Sequence, residues 1–155
     1  MIKKLLIIIA IFLTSSCGFK VINYSDLGNF EISGISATGD NRINFNIKNR
    51  LLYSSKKNLG NPISVKIKTE KKKNIKEKNI KNQITKYEIL INTNISLVEV
   101  KKQKQYQFSI SKKSVYNVAE QYSQTLNNEK KLVELMTKEI VDDILEEIDS
   151  VLNDL

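Results

Sequence analysis

The residues of this chain best placed to do chemistry are one thiol and a run of amines. Cys17 is the only cysteine, and it follows Leu13-Thr14-Ser15-Ser16. Its thiol is the group that forms a thioether to a lipid when an exported bacterial protein is diacylated, cut and acylated again. The preceding segment fits that chemistry. Met1-Ile2-Lys3-Lys4 is a short basic start, Leu5 to Leu13 is an unbroken apolar run, and Thr14 to Ser16 are small polar residues. This is the order of a secretory signal. The apolar run is far shorter than the roughly 20 residues a spanning helix needs. Leu13-Thr14-Ser15-Ser16-Cys17 resembles a lipobox, with Thr14 where Leu is common. The other reading is an ordinary signal with a leftover thiol. A single unpaired thiol is a liability in an oxidising compartment, which favours acylation. Gly18, rather than Asp, follows the cysteine and points to the outer membrane. Several acyl chains on one residue anchor stably where a single chain does not.

The second candidate is the lysine cluster between Glu70 and Gln83, with Lys71, Lys72 and Lys73 at its head. Ammonium groups gathered at a loop tip suit phosphate groups. The plainer reading, and the favoured one, is a solvated hairpin loop in a Lys-rich protein. The exposed pair Lys66 and Lys68 invites the same two readings.

Composition excludes other chemistries. The chain has no histidine, so a Ser-His-Asp triad or a His-ligated metal site is impossible. Neither G-x-x-x-x-G-K-[ST] nor G-x-G-x-x-G occurs. The acids crowd into one helical segment rather than a cleft, and no enzyme, metal or cofactor is expected beyond the lipid on Cys17. Residues 17–127 carry 20 Lys and Arg against 8 Asp and Glu, whereas residues 128–155 carry 3 against 9. A basic body suggests anionic partners. Export argues against nucleic acid and favours anionic lipid or glycolipid.

The elements that must position these groups read as follows. Phe30, Ile32 and Ile35 suggest a short strand. Asp40 is a candidate helix cap after Gly39. Ile43, Ile47 and Leu51 then fit one helix face, while Ile43-Phe45-Ile47 fits a strand equally well. Asn58 to Pro62 reads as a turn. Ile63, Val65, Ile67 and Thr69 alternate with Ser64, Lys66 and Lys68, as a half-buried strand does. Glu70 to Gln83 reads as a mobile hairpin connection or frayed strand ends. Tyr87 to Leu97 alternates, and Tyr106, Phe108 and Ile110 alternate after a Lys101–Lys104 turn. Tyr87, Tyr106, Phe108 and Tyr116 are expected in packing. Glu120 to Asn128 reads as a connecting segment. Val133, Met136, Ile140, Ile144, Ile148, Val151 and Leu155 then step by three or four with acids opposite. This predicts an amphipathic helix from about Glu129 to Asn153, capped by Asn128 and laid on a sheet.

Cys17-Gly18-Phe19 at the mature start carries a resemblance. So do Tyr87-Glu88-Ile89-Leu90-Ile91, Ser114-Val115-Tyr116-Asn117 with Tyr122-Ser123, and the terminal helix from Leu132 to Ile148. Together they resemble the LptE family of lipopolysaccharide-assembly lipoproteins, in its α-proteobacterial form. Lys20-Val21-Ile22 stands where the family usually has Pro-Leu-Tyr. The resemblance favours a helix from Asp40 to Ser55. It implies an α+β fold, β-α-β-β-β-α, with a four-stranded, largely antiparallel sheet and two helices on one face. It also implies a periplasm-facing outer-membrane protein that plugs and helps assemble the LptD β-barrel, in a 1:1 complex, and meets lipopolysaccharide. Under this reading residues 1–16 are the signal, 17–27 the lipidated segment and 28–155 one domain. The alternative is another small lipoprotein that scaffolds an envelope complex, such as a pilotin or transport accessory.

Overall fold

Alternating apolar residues build a sheet here, and two apolar helical stripes cover one of its faces. The computed structural model describes residues 30–57, 59 and 62–153. The expected signal 1–16, Cys17 and the expected lipidated segment 17–27 lie outside the described residues. The order is β1 (Glu31–Gly39), α1 (Asn41–Ser54), β2 (Pro62–Lys78), β3 (Ile84–Glu99), β4 (Lys104–Asn117) and α2 (Tyr122–Asn153). The strands lie in the order β1-β2-β3-β4. β1 runs parallel to β2, and the other neighbours are antiparallel. Parallel neighbours need a crossover, and α1 supplies it. The expected α+β architecture is the observed one.

Asp40 resolves the helix-or-strand ambiguity of the segment after it. Its carboxylate accepts the backbone N–H groups of Arg42 and Ile43, both at 3.1 Å, which satisfies the first turn of α1. Gly39 makes the corner possible. Its φ of +99° suits glycine, and a Cβ there would sit 1.9 Å from the Thr69 carbonyl oxygen. Ile43, Ile47 and Leu51 then point inward on the 3.6-residue period and are fully buried. Asn44 is also buried, and its Nδ2 donates to the Thr38 carbonyl at 2.9 Å.

On β2 and β3 the odd-numbered residues face the helices, and on β4 the even-numbered ones do. Val65, Ile89, Ile91 and Leu97 meet Ile140, Ile144 and Leu145 of α2 in one core that also takes in α1. Tyr116 is buried in it, and Tyr87, Tyr106 and Phe108 pack against it, as expected.

Two boundaries differ from the sequence reading. Glu70 to Lys78 is not a loop or a frayed end. It continues β2, paired with β3 from Glu70↔Asn92 to Lys78↔Ile84, and the turn is confined to Asn79–Gln83. Polar composition misled here because this half of the strand is exposed on both faces. β3 supplies the ladder that holds it. The second difference is α2, which begins at Tyr122 rather than Glu129, so Asn128 lies inside the helix and is not its cap. Thr125 ties this first turn down. Its buried hydroxyl accepts from the Ala119 N–H at 2.9 Å and also lies 3.3 Å from the Ala119 carbonyl.

Candidate functional site

The pleat that sends apolar residues to the helices sends their neighbours to the opposite, open face. On β3 these are Asn92, Asn94 and Ser96, and on β4 they are Gln105, Gln107, Ser109 and Ser111. The register sets them opposite one another, Asn92 to Ser111, Asn94 to Ser109 and Ser96 to Gln107. Side chains join across the strands. The Ser109 hydroxyl donates to Asn94 Oδ1 at 2.6 Å, the Ser111 hydroxyl donates to Asn92 Oδ1 at 2.7 Å, and Gln105 Nε2 donates to Ser96 Oγ at 3.2 Å. Lys66 and Lys68 of β2, opposite Ser36 and Thr38 of β1, complete a shallow depression of about 610 Å³ on this face. The result is a hydrogen-bonding patch of Asn, Ser and Gln bordered by Lys66 and by Lys68, which pairs with Glu70 at 3.5 Å, while Lys72 and Glu88, the latter paired with Lys76 at 3.3 Å, carry charge farther along the same face. No helix covers it among the described residues.

The lysine cluster is divided by the same pleat. Lys72 shares the open face with Lys66 and Lys68, and it makes no ion pair among the described residues. Lys71 and Lys73 turn to the helix side, where the structure brings them together around Glu129 of α2. Lys73 Nζ lies 2.6 Å from Glu129 Oε2, and Lys71 Nζ lies 3.9 Å from Oε1 and 4.0 Å from Asp40 Oδ2. The Tyr116 hydroxyl donates to Glu129 Oε2 at 2.7 Å. The rings of Tyr87 and Tyr116 stack at 5.7 Å, with the Lys73 ammonium 4.2 Å from the centre of the first. Such a cation over an aromatic face gains further stabilisation. The three lysines therefore do not form one phosphate-facing set at a loop tip. They lie mid-strand, two inward and paired, one outward.

This cluster sets its own protonation. Burial alone would lower the Lys73 pKa, but its interactions with Glu129 and Tyr116 outweigh that and raise it above the ordinary lysine range. Burial would raise Glu129, yet Lys73, the Tyr116 hydroxyl and Lys71 hold it below the usual carboxylate value. Burial, with Glu129 alongside, pushes the Tyr116 phenol up against the opposing pull of Lys73. At neutral pH the arrangement is ammonium, carboxylate and neutral phenol, a pin between β2, β4 and α2.

A third surface lies on the outer side of α1. Phe45, Leu52 and Tyr53 are exposed there, Tyr53 at 92%. Asn49, Arg50, Tyr53 and Ser54 line a largely apolar groove with Val141 and Leu145 of α2.

Sequence reasoning missed Glu129 and Tyr116 as partners of the lysines, because only the sheet register brings positions 73, 116 and 129 together. The polar ladder was legible in principle. It occupies the alternate positions of the apolar stripes that marked β3 and β4.

A sheet with both helices on one face and a polar open face defines the class, an α+β domain built around a one-sided core. Solved bacterial lipoproteins share this fold. Rare lipoprotein B from Shewanella oneidensis superposes with a TM-score of 0.60 at 12% identity, over 78% of this chain and 97% of that one. An uncharacterized lipoprotein B from Nitrosomonas europaea does so with a TM-score of 0.59 at 11% identity, over 88% and 93%. At these identities the likeness is one of fold. No protein-family model and no curated protein sequence matches the chain.

Proposed function

We propose that this chain is an LptE-like lipoprotein, acylated at Cys17 and held on the periplasmic side of the outer membrane. There it plugs and helps assemble the LptD β-barrel for lipopolysaccharide transport to the cell surface. The role is one of binding and assembly, without catalysis or a cofactor beyond the lipid. The observation that carries the reading is the open face of Asn, Ser and Gln side chains on a rigid sheet. A large outer-membrane barrel has a polar interior. A body that fills it must offer donors and acceptors without burying unpaired charge, because an uncompensated buried charge is costly while a hydrogen-bonded amide is not. Asn92, Asn94, Ser96, Gln107, Ser109 and Ser111 meet that requirement. The fold shared with rare lipoprotein B and the Cys17-Gly18-Phe19 start support it.

Lipopolysaccharide phosphates belong to the same reading. Lys72 and Lys66 present ammonium groups on the open face, with Lys68 beside them in an exposed pair with Glu70 at 3.5 Å. Lys71 and Lys73 reach a phosphate only by giving up Glu129. The test is co-purification of the tagged chain from detergent-solubilised outer membrane. A stoichiometric large β-barrel protein is the expected companion, and depletion should lower barrel assembly and surface lipopolysaccharide. Unchanged assembly on depletion would sink the proposal.

A second reading, a lipoprotein that scaffolds another envelope complex, draws on the exposed Phe45, Leu52 and Tyr53 of α1. An apolar patch of this kind marks a protein contact. Recovery of a soluble or inner-membrane partner in place of a barrel, abolished by Tyr53→Ser, would favour it.

A further inference from the structure

β1 accompanies β2 only to Gly39, whose partner is Thr69. There the chain turns away into α1. β2 runs on for nine more residues, Glu70 to Lys78, bonded to β3 on one side. Among the described residues nothing pairs with its other side.

The direction of the backbone groups along this edge follows from three bonds. The Pro62 carbonyl accepts from Val100 N at 3.0 Å, on the β3 side. The Ile63 carbonyl accepts from the Ser33 hydroxyl at 3.1 Å, on the β1 side. The Thr69 carbonyl accepts from Asp40 N at 3.0 Å, also on the β1 side. Even positions thus address β3 and odd positions address the β1 side. The register runs without a break to Ile75. So the N–H and C=O groups of Lys71, Lys73 and Ile75 point outward into the lane that β1 has vacated.

An unpaired edge is a template for another strand, and proteins commonly blunt it with lysines. Here the lysines select rather than merely repel. Glu70 to Lys78 holds five lysines and two glutamates. Arg42 and Lys130 stand beside the lane, in the groove between the two helix starts, whose carboxylates Asp40 and Glu129 are already taken up by Lys71. A neutral or basic strand laid there would face like charge or strip ammonium groups of water. A strand with carboxylates at alternate positions would pair with them instead, since opposite charges directly across a strand pair are favourable.

We propose that the Glu70–Lys78 edge of β2 takes up an extended, acidic segment of a partner polypeptide as an added strand of the sheet. Main-chain bonds from Lys71, Lys73 and Ile75 hold it, and Lys72 chooses its charge together with Lys76 and Arg42, which exchange their exposed pairs with Glu88 (3.3 Å) and Glu134 (3.4 Å) for it. The mode is β-strand addition, in which backbone bonds supply affinity and side chains supply specificity. It does not depend on the barrel reading, and either can fail alone.

The test uses the full chain in detergent and a labelled, end-blocked peptide of about ten residues, the length of an ordinary strand, alternating Glu and Thr. The control replaces two central Thr by Pro, which keeps the charge and removes strand pairing. Anisotropy titration at low salt should show the alternating peptide binding about tenfold tighter than the control, the loss expected for one or two hydrogen bonds. Amide exchange should slow at Lys71, Lys73 and Ile75 and stay unchanged at Lys72 and Asn74, which β3 already protects. Ile75→Pro removes an outward N–H and should weaken binding to a similar degree with an unchanged melting temperature. Should that variant fail to fold, the exchange pattern of the unaltered chain decides the matter alone. Equal binding of the control, the result for a surface that attracts any polyanion, overturns the proposal. So does unchanged exchange at the three odd positions, or a dimer of the chain that occupies the edge and is not displaced by peptide.

Discussion

Replacing Glu129 by Gln isolates the charge at the centre of the β2–α2 pin while keeping its size. The magnitude follows from the contacts. The Tyr116 hydroxyl is buried and donates to Glu129 Oε2 at 2.7 Å. A hydrogen bond to a charged group contributes about 1.5–3 kcal/mol and a neutral one about 1, so weakening this bond costs about 1 kcal/mol. The Lys73 pair is short, at 2.6 Å, but the Lys73 side chain is 37% exposed. Solvent screening therefore limits its share to about 0.5 kcal/mol. The expected loss is about 1.5 kcal/mol, or roughly 5 °C in melting temperature for a domain of this size. Circular-dichroism melts measure it, and a double-mutant cycle with Tyr116→Phe should show coupling between the two changes. The pH dependence gives a second check. The Glu129 pKa is lowered in the folded state, so its stabilisation is present above the unfolded value of about 4.3 and disappears as pH falls through the folded value. The Lys73 pKa is raised, so its share is present below its unfolded value of about 10.4 and is lost only as pH rises through the folded one. The gap between the parent and Glu129→Gln should hold across neutral pH and close in acid. Equal melting temperatures at pH 7, or a gap that persists in strong acid, would refute the assignment of a charged pin.

Two further substitutions test the frame. Gly39→Ala should cost about 3 kcal/mol in chemical denaturation, because the new Cβ meets the Thr69 carbonyl at a positive φ. A loss below about 1 kcal/mol would mean that the corner relaxes. Ile144→Ala removes a fully buried side chain from the middle of α2 and should cost about 2–4 kcal/mol by the same measurement. A near-neutral result would place the α2 stripe outside the core.

The parts of the fold that bury a regular stripe were legible in the sequence, and the parts held by a neighbour were not. Ile140, Ile144 and Ile148 recur on the helical period because each must reach the sheet, so α2 was visible wherever it packs. Tyr122 to Asn128 precedes that stripe and is rich in Asn, Gln and Ser. It is helical because Thr125 fixes its first turn to Ala119 and the helix behind it propagates, and neither cause leaves a periodic signal. Asp40 was legible as a cap because the interaction is local. The partnership of Lys73 with Glu129 spans 56 positions and depends on which way the pleat turns residue 73.

That dependence on the pleat links the candidate surfaces. From Ile63 to Ile75, β2 keeps one unbroken alternation, and a residue's parity decides both where its side chain points and where its backbone bonds point. Odd positions give the core its Ile63, Val65 and Ile67. Past Thr69 the same positions give the pin its Lys71 and Lys73, and they turn their N–H and C=O groups to the vacated lane. Even positions place Lys66 and Lys68 on the open face beside Ser96 and Asn94, and Lys72 on the same face beside Leu90. A one-residue slip of β2 against β3 would exchange these roles at once, burying ammonium groups and exposing isoleucines. The burial of Val65 and Ile67 forbids that slip energetically. Core packing in the first half of the strand thereby holds the register of the second half, where little is buried. This is how a segment without a hydrophobic stripe of its own keeps a defined edge, a defined charge pattern and a defined face.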